Sequence, residues 1–269
     1  FKMTLLKWIR NRAVHGMPTF SIEEVRSAGV CASEQILQNE LSMLSANKTI
    51  ANVYRGFYVI FPAHYVLRGS IPATYYIDQL MNYMGKPYYT SMLSAAELLG
   101  AAHQRPQNFS VMTVFPKRRV VSKRNVTVEW FYRERIPEEC IITKNTETGT
   151  IRISNALLTA VDIIQYQQHI GGLSRATTIL EELTEQIDIT KDFKLLAPYV
   201  KTVVWQRLGY LLENIVGKKE LSDKLYNQLQ TSAIHIQYAP LSTTADNEYK
   251  ERDIRWKLNI NTDIESEEL

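Results

Sequence analysis

FSIEEVRSAGVCASEQILQNELSMLSANKTIANVYRGFYVI, from Phe20 to Ile60, is the stretch whose reading decides the fold. Ser21 followed by Glu24 forms a capping box, with the serine as N-cap and the glutamate reaching back to it. Val25 and Ala28 extend that short helix and Gly29 ends it. Ser33 caps the next helix, where Ile36, Leu37, Leu41 and Leu44 fall at helical spacing. Its other face shows Gln35, Gln38, Asn39 and Ser42, which are polar and uncharged. Asn47 stands where this helix must end, and Asn suits a left-handed C-cap. Two runs of β-branched and aromatic residues follow, Thr49–Tyr54 and Phe57–Ile60, separated by Arg55-Gly56. They predict a β-hairpin with its break at that dipeptide.

Toward the N-terminus, Leu5, Leu6 and Ile9, with Trp8 and Val14, predict a helix over residues 3–14 that Gly16 and Pro18 stop. Three helices and a hairpin in this order make residues 1–65 a winged helix-turn-helix. In such a domain the polar face of the third helix, Ser33, Gln35, Gln38, Asn39 and Ser42, suits hydrogen bonding to base edges in a major groove. Lys48 and Arg55 would grip phosphate near the wing, with Lys7, Arg10, Arg12 and Arg26 as further phosphate contacts. Against DNA, this helix carries Glu34 and Glu40 and no Lys or Arg before Lys48. The alternative is a protein-interaction module that sequesters a partner directly and has no sequence-specific DNA binding.

Toward the C-terminus, Pro62, Pro72 and Pro87 frame a connector and a helix over 74–83, so the second domain is taken as 70–262. Tyr88–Tyr89, Phe109–Phe115, Arg118–Val121, Asn125–Tyr132, Cys140–Thr143 and Thr150–Ile153 read as strands, with a helix at Ser91–Leu99. From Ser154 the helical period returns, in a helix marked by Leu157, Leu158, Val161 and Ile164 and in Leu173–Ile187, Tyr199–Val216 and Leu221–Leu229. Ile234–Tyr238 and Trp256–Ile260 read as late strands, and 263–269 as a frayed tail. The fold class is α+β: a winged helix, then a larger mixed domain with its sheet first and its helices after.

The chain of 269 residues has a net charge of +3, unevenly spread. Residues 105–135 hold 8 basic and 2 acidic side chains, whereas 181–269 hold 11 basic and 16 acidic, a division that can orient the molecule on a polyanion. Lys117, Arg118, Arg119, Lys123 and Arg124 offer a second nucleic-acid or partner surface, or else a solvated hairpin edge whose charges deter pairing. Two cysteines exclude a disulfide scaffold, and the five histidines lack zinc-ligand spacing, so no metal and no cofactor are expected. No phosphate-binding glycine loop occurs. Gly69-Ser70 lacks the paired acids of a nucleotidyltransferase, and Glu129, Glu138 and Glu139 lack the acid-x-Lys pattern of a nuclease. No catalytic residue is expected. Asp162, inside an apolar helix, must pair or hydrogen-bond, with Arg175 or Arg207 as candidate partners. No apolar run is long enough to span a membrane and the opening residues lack a signal-peptide core, so the expected compartment is the cytoplasm.

At this point the chain resembles the AbiEi-type antitoxins, the repressor half of type IV toxin–antitoxin operons. Phe20–Ile60 is similar to that family's winged helix, including the step Arg55-Gly56-Phe57-Tyr58. PYYTSMLSAAELLGAAHQRPQNFSVMT (Pro87–Thr113), RISNALLTAVDIIQY (Arg152–Tyr166) and RDIRWKLNIN (Arg252–Asn261) resemble stretches of its C-terminal half. The turn after the third helix departs from the family, with Asn47-Lys48 where a Gly is common. The resemblance implies an autorepressor that binds inverted repeats of operator DNA upstream of its own operon. It also implies a C-terminal domain that counters a nucleotidyltransferase-type toxin without a stable complex.

Overall fold

The computed structural model describes residues 3–102, 106–117, 128–246 and 248–264. Its first elements are α1 (Leu5–Val14), β1 (Thr19–Ser21), α2 (Ile22–Ala28), α3 (Glu34–Ala46), β2 (Ile50–Tyr54) and β3 (Phe57–Ile60). The capping box forms as the sequence predicts: Glu24 N–H donates to Ser21 Oγ at 3.1 Å, and Ser21 N–H donates to Glu24 Oε2 at 2.6 Å. Gly29 closes α2 in the left-handed conformation. Ser33 caps α3 by accepting from Ile36 N–H. The three strands pair in the order β1-β3-β2, antiparallel throughout, with Ser21 opposite Phe57 and Ile50 opposite Ile60. Leu5, Ile9, Phe20, Val25, Leu37, Leu41, Leu44 and Ile50 form one core under these elements, each worth about 1.5–3 kcal/mol when fully buried.

Two local expectations fail here. Asn47 ends α3 at φ −82°, and the left-handed residue is Lys48 at φ +53°. The Thr49 N–H reaches the Leu44 carbonyl at 2.9 Å, which makes Lys48 the first residue past the helix. Ile36 is not part of the core: it is 43% exposed, because Leu37, Leu41 and Leu44 already fill the buried stripe.

The chain continues through a single turn α4 (Ala63–Val66), α5 (Ile77–Met84), β4 (Tyr88–Thr90), α6 (Met92–Leu99), β5 (Phe109–Val114), β6 (Val128–Arg133), β7 (Ile141–Thr146) and β8 (Gly149–Ser154). A five-stranded sheet takes the order β6-β5-β4-β8-β7, with β4 and β8 parallel. Next come α7 (Ala156–Gln165), α8 (Gln167–Ile170), α9 (Leu173–Leu183), α10 (Ile189–Leu196), α11 (Thr202–Tyr210) and α12 (Lys219–Thr231). A small sheet of β9 (Ala239–Pro240), β10 (Glu251–Asp253) and β11 (Leu258–Ile260) follows, in the order β10-β11-β9. The fold is mixed α+β. Two compact units divide it: Phe1–Tyr88 with Thr113–Glu134 and Thr143–Arg152, and Tyr89–Met112 with Arg135–Ile142 and Ile153–Leu269.

The expected strand Arg118–Val121 lies outside the described residues, and the one expected over Asn125–Tyr132 is described from Val128. Ile234–Tyr238 is not a strand. Only Ile236 of its apolar residues is buried, and the segment that pairs with β11 is the following Ala239–Pro240. The helix α10 was not expected from the sequence; Asp188 caps it, and Ile189, Phe193 and Leu196 are buried along one side.

Candidate functional site

The outer face of α3 is built by the apolar spacing of its inner face. Leu37, Leu41 and Leu44 point into the core, so Gln35, Gln38, Asn39 and Ser42 are exposed together, as their spacing predicts. These side chains are paired with one another and with their neighbours. Gln35 Nε2 donates to Asn39 Oδ1 at 3.1 Å, and Gln38 Nε2 donates to Glu34 Oε1 at 3.0 Å. Arg26 of α2 grips Glu34 with two bonds, Nε to Oε2 at 3.2 Å and Nη2 to Oε1 at 2.7 Å. Its bonds, and then that of Gln38, hold the Glu34 carboxyl down at about 2. The acid at the start of α3 is thus neutralised locally. Glu40 lies toward the α2–α3 turn, within 3.9 Å of Cys31 Sγ. Ile36, which its spacing assigns to the core, and Met43 are 43% and 55% exposed beside the amides on the same helix.

Of the expected cations, Arg12 is spent on the Thr19 carbonyl and on Glu24, and Arg26 on Glu34 and Glu23. Lys7, Arg10, Lys48 and Arg55 are exposed and make no ion pair among the described residues. Ile22, Glu23, Arg26, Gln38, Tyr54, Arg55 and Tyr58, with Tyr83 of α5, line a polar cleft of about 720 Å³ in the first unit. This cleft brings Gln38 and Arg55 to one concavity. At its edge the Tyr83 hydroxyl donates to the Arg55 carbonyl at 3.3 Å, and a Cβ on Gly56 would sit 2.9 Å from that oxygen. The glycine of the hairpin turn, at φ +73°, therefore serves both the turn and the tyrosine above it.

Of the second basic group, Lys117 is exposed, with its Nζ 5.6 Å from the ring centre of Tyr132. Arg118, Arg119, Lys123 and Arg124 lie outside the described residues. In the second unit, Asp162 is fully buried and accepts from the Tyr89 hydroxyl at 2.8 Å. Arg207, one of its two candidate partners, donates to the Pro240 carbonyl. No group of three or more metal-ligating side chains occurs among the described residues, and none of the described helices is long and apolar enough to cross a membrane.

Residues 89–214 match the family model of the AbiEi antitoxin C-terminal domain. The match is consistent with an AbiEi-family antitoxin. The AbiEi match begins in β4, takes in α6 to α11 and ends in the π-helical turn Leu211–Ile215. It contains the Arg152–Tyr166 stretch and most of Pro87–Thr113, on which the resemblance was read; Phe20–Ile60 and Arg252–Asn261 fall outside it. In fold, the chain is similar to the crystal structure of the RV2827C protein from Mycobacterium tuberculosis. The TM-score is 0.65 at 15% identity, over 93% of this chain and 88% of that one. No match was found among curated proteins.

Proposed function

We propose that this chain is an AbiEi-type antitoxin and a DNA-binding autorepressor. In this reading residues 1–65 are a winged helix-turn-helix, α3 enters the major groove, and the hairpin of β2 and β3 is the wing. The observation that carries it is the outer face of α3: exposed amides from one helix, with its one leading acid held by Arg26, next to the exposed cations Lys48 and Arg55. Amides of this kind match base edges, and cations outside the helix match phosphate. The duplex bound would be the inverted repeats upstream of its own operon. The AbiEi domain would counter a nucleotidyltransferase-type toxin from that operon, without a stable complex.

The test is fluorescence anisotropy of the full chain on its own upstream DNA and on a scrambled duplex, at several salt concentrations. A preference of about 10³-fold or more at physiological salt is expected of a specific regulator. Arg55→Ala should weaken both duplexes alike and reduce the slope of log K against log salt by about 0.9. Equal, weak binding to both duplexes would reject the DNA-binding reading in favour of direct protein contact. Stable co-purification with the neighbouring gene product would reject the complex-free antitoxin.

A further inference from the structure

We infer, resting on the DNA-binding reading above, that α3 reads an A·T-rich site, with the Gln35–Asn39 pair on an adenine and Ile36 and Met43 on thymine methyl groups. The first argument is a missing donor. No Lys or Arg occurs from Glu34 to Ala46, so the two acceptors that guanine presents in the major groove, N7 and O6, lack the bidentate cation that reads them.

The second argument is the bond between the two amides. Gln35 donates to Asn39 at 3.1 Å, which leaves an outward donor on Asn39 and an outward acceptor on Gln35. If both amides are turned over, the bond reverses and the pair again offers one donor and one acceptor. Adenine shows the complementary set, N7 accepting and N6 donating, whereas the O6 of guanine would meet an acceptor. Gln38 is excluded from this role because its amide nitrogen already donates to Glu34. It is a positioning residue, holding the carboxylate that Arg26 neutralises.

The third argument is apolar. Ile36 and Met43 are exposed at seven-residue spacing, on the side of α3 that also carries Asn39. Seven residues advance about 10.5 Å along a helix, roughly three base-pair steps of duplex. The one apolar group that base pairs present in the major groove is the thymine methyl. Two exposed apolar side chains beside an adenine-reading amide pair fit thymines neighbouring that adenine.

The experiment begins with selection by the full chain from a pool of randomised duplexes. The winning sequence is then synthesised with thymine or with deoxyuridine, which removes the methyl and leaves the pairing unchanged. The expected result is an A·T-rich core and a loss of about fourfold in affinity per contacted methyl, which is about 0.8 kcal/mol. Ile36→Ala and Met43→Ala should each bind thymine and uracil duplexes alike at the position that they contact. Both residues are exposed, so unchanged melting curves would verify that the variants fold. A selected core centred on guanine, or indifference of the wild type to uracil, would overturn the inference and leave DNA binding standing. A pool with no enriched sequence would remove both.

Discussion

On α3, Gln35, Gln38 and Asn39 bond to each other and to Glu34 in full view of solvent. In the second unit, Gln206 is 2% exposed, and its Nε2 donates to the carbonyls of Gln237, Trp256 and Lys257. The same amide chemistry serves two purposes. Surface bonds are exchanged for water, or for a ligand, at a net cost near zero, whereas a buried group that loses its partner forfeits its whole desolvation cost. The carboxylates divide in the same way: Arg26 and Gln38 hold exposed Glu34 at about 2, while burial pushes Asp192 above its ordinary value. One region keeps its polar atoms available and the other has committed them to the fold. Substitutions on α3 should therefore change recognition and leave stability alone, and substitutions in the second unit should do the reverse.

Trp256 gives the comparison its largest test. It is fully buried, its Nε1 donates to Glu213 Oε2 at 2.7 Å, and its ring lies so close to Gly209 that a Cβ there would be 2.0 Å from it. Trp256→Ala should cost about 3–5 kcal/mol of unfolding free energy in urea titration. Gly209→Ala should also destabilise, because the ring has no room to yield. A loss below about 1 kcal/mol for Trp256→Ala would mean that the C-terminal segment is not anchored by this ring.

Tyr89→Phe is the next step down. It removes the hydroxyl that donates to the buried Asp162 and leaves the ring in place, for an expected cost of about 1–3 kcal/mol. Unchanged stability in the same titration would show that Asp162 is satisfied without the tyrosine. The contrasting pair on α3 is Asn39→Ala and Gln38→Ala, both within about 0.5 kcal/mol of the wild type in stability. Asn39→Ala should lose about 1–3 kcal/mol of discrimination between operator and random DNA. Gln38→Ala should lose less, since its amide nitrogen serves Glu34. An Asn39→Ala variant that kept full discrimination would break the comparison at its recognition end.

The uneven legibility of the sequence follows the same divide. The capping box at Ser21 and Glu24, the close of α2 at Gly29 and the hairpin around Arg55-Gly56 are local events, fixed by neighbours in the chain, and were readable. The exposed amide face of α3 was readable from helical period alone, but which amide serves Glu34 was not, because Arg26 grips that acid from another helix. Ile36 looked like core, since spacing cannot say that three leucines already fill the stripe. The Tyr89 hydroxyl that donates to Asp162 comes from 73 residues away, which no periodicity announces. The short strand at Ala239–Pro240 has no strand pattern and exists by virtue of its pairing with β11.

Asp192 supplies the smallest and most pointed prediction. It is 6% exposed on α10, and Asn155 Nδ2 donates to its Oδ2 at 2.8 Å. Burial raises its carboxyl, the charges of Lys191 lowering and Asp188 raising it less strongly, with the bond from Asn155 also lowering it. A carboxyl whose folded value lies above its unfolded one binds its proton more readily when folded. Its contribution is therefore fully favourable below the unfolded value and is lost as pH rises through the folded one. Asn at this position keeps an oxygen to accept from Asn155 and removes the charge. Asp192→Asn should thus melt higher than the wild type at neutral pH, and the gap should close as pH falls through the carboxylate range. Glu34→Gln on α3 provides the opposite sign: an exposed, paired carboxylate held low adds a little stability above its unfolded value, lost as pH falls toward about 2. Paired melting curves from neutral to acid pH would separate the two. A pH-independent offset in Asp192→Asn would mean that packing, and not the buried charge, sets the difference between the two regions.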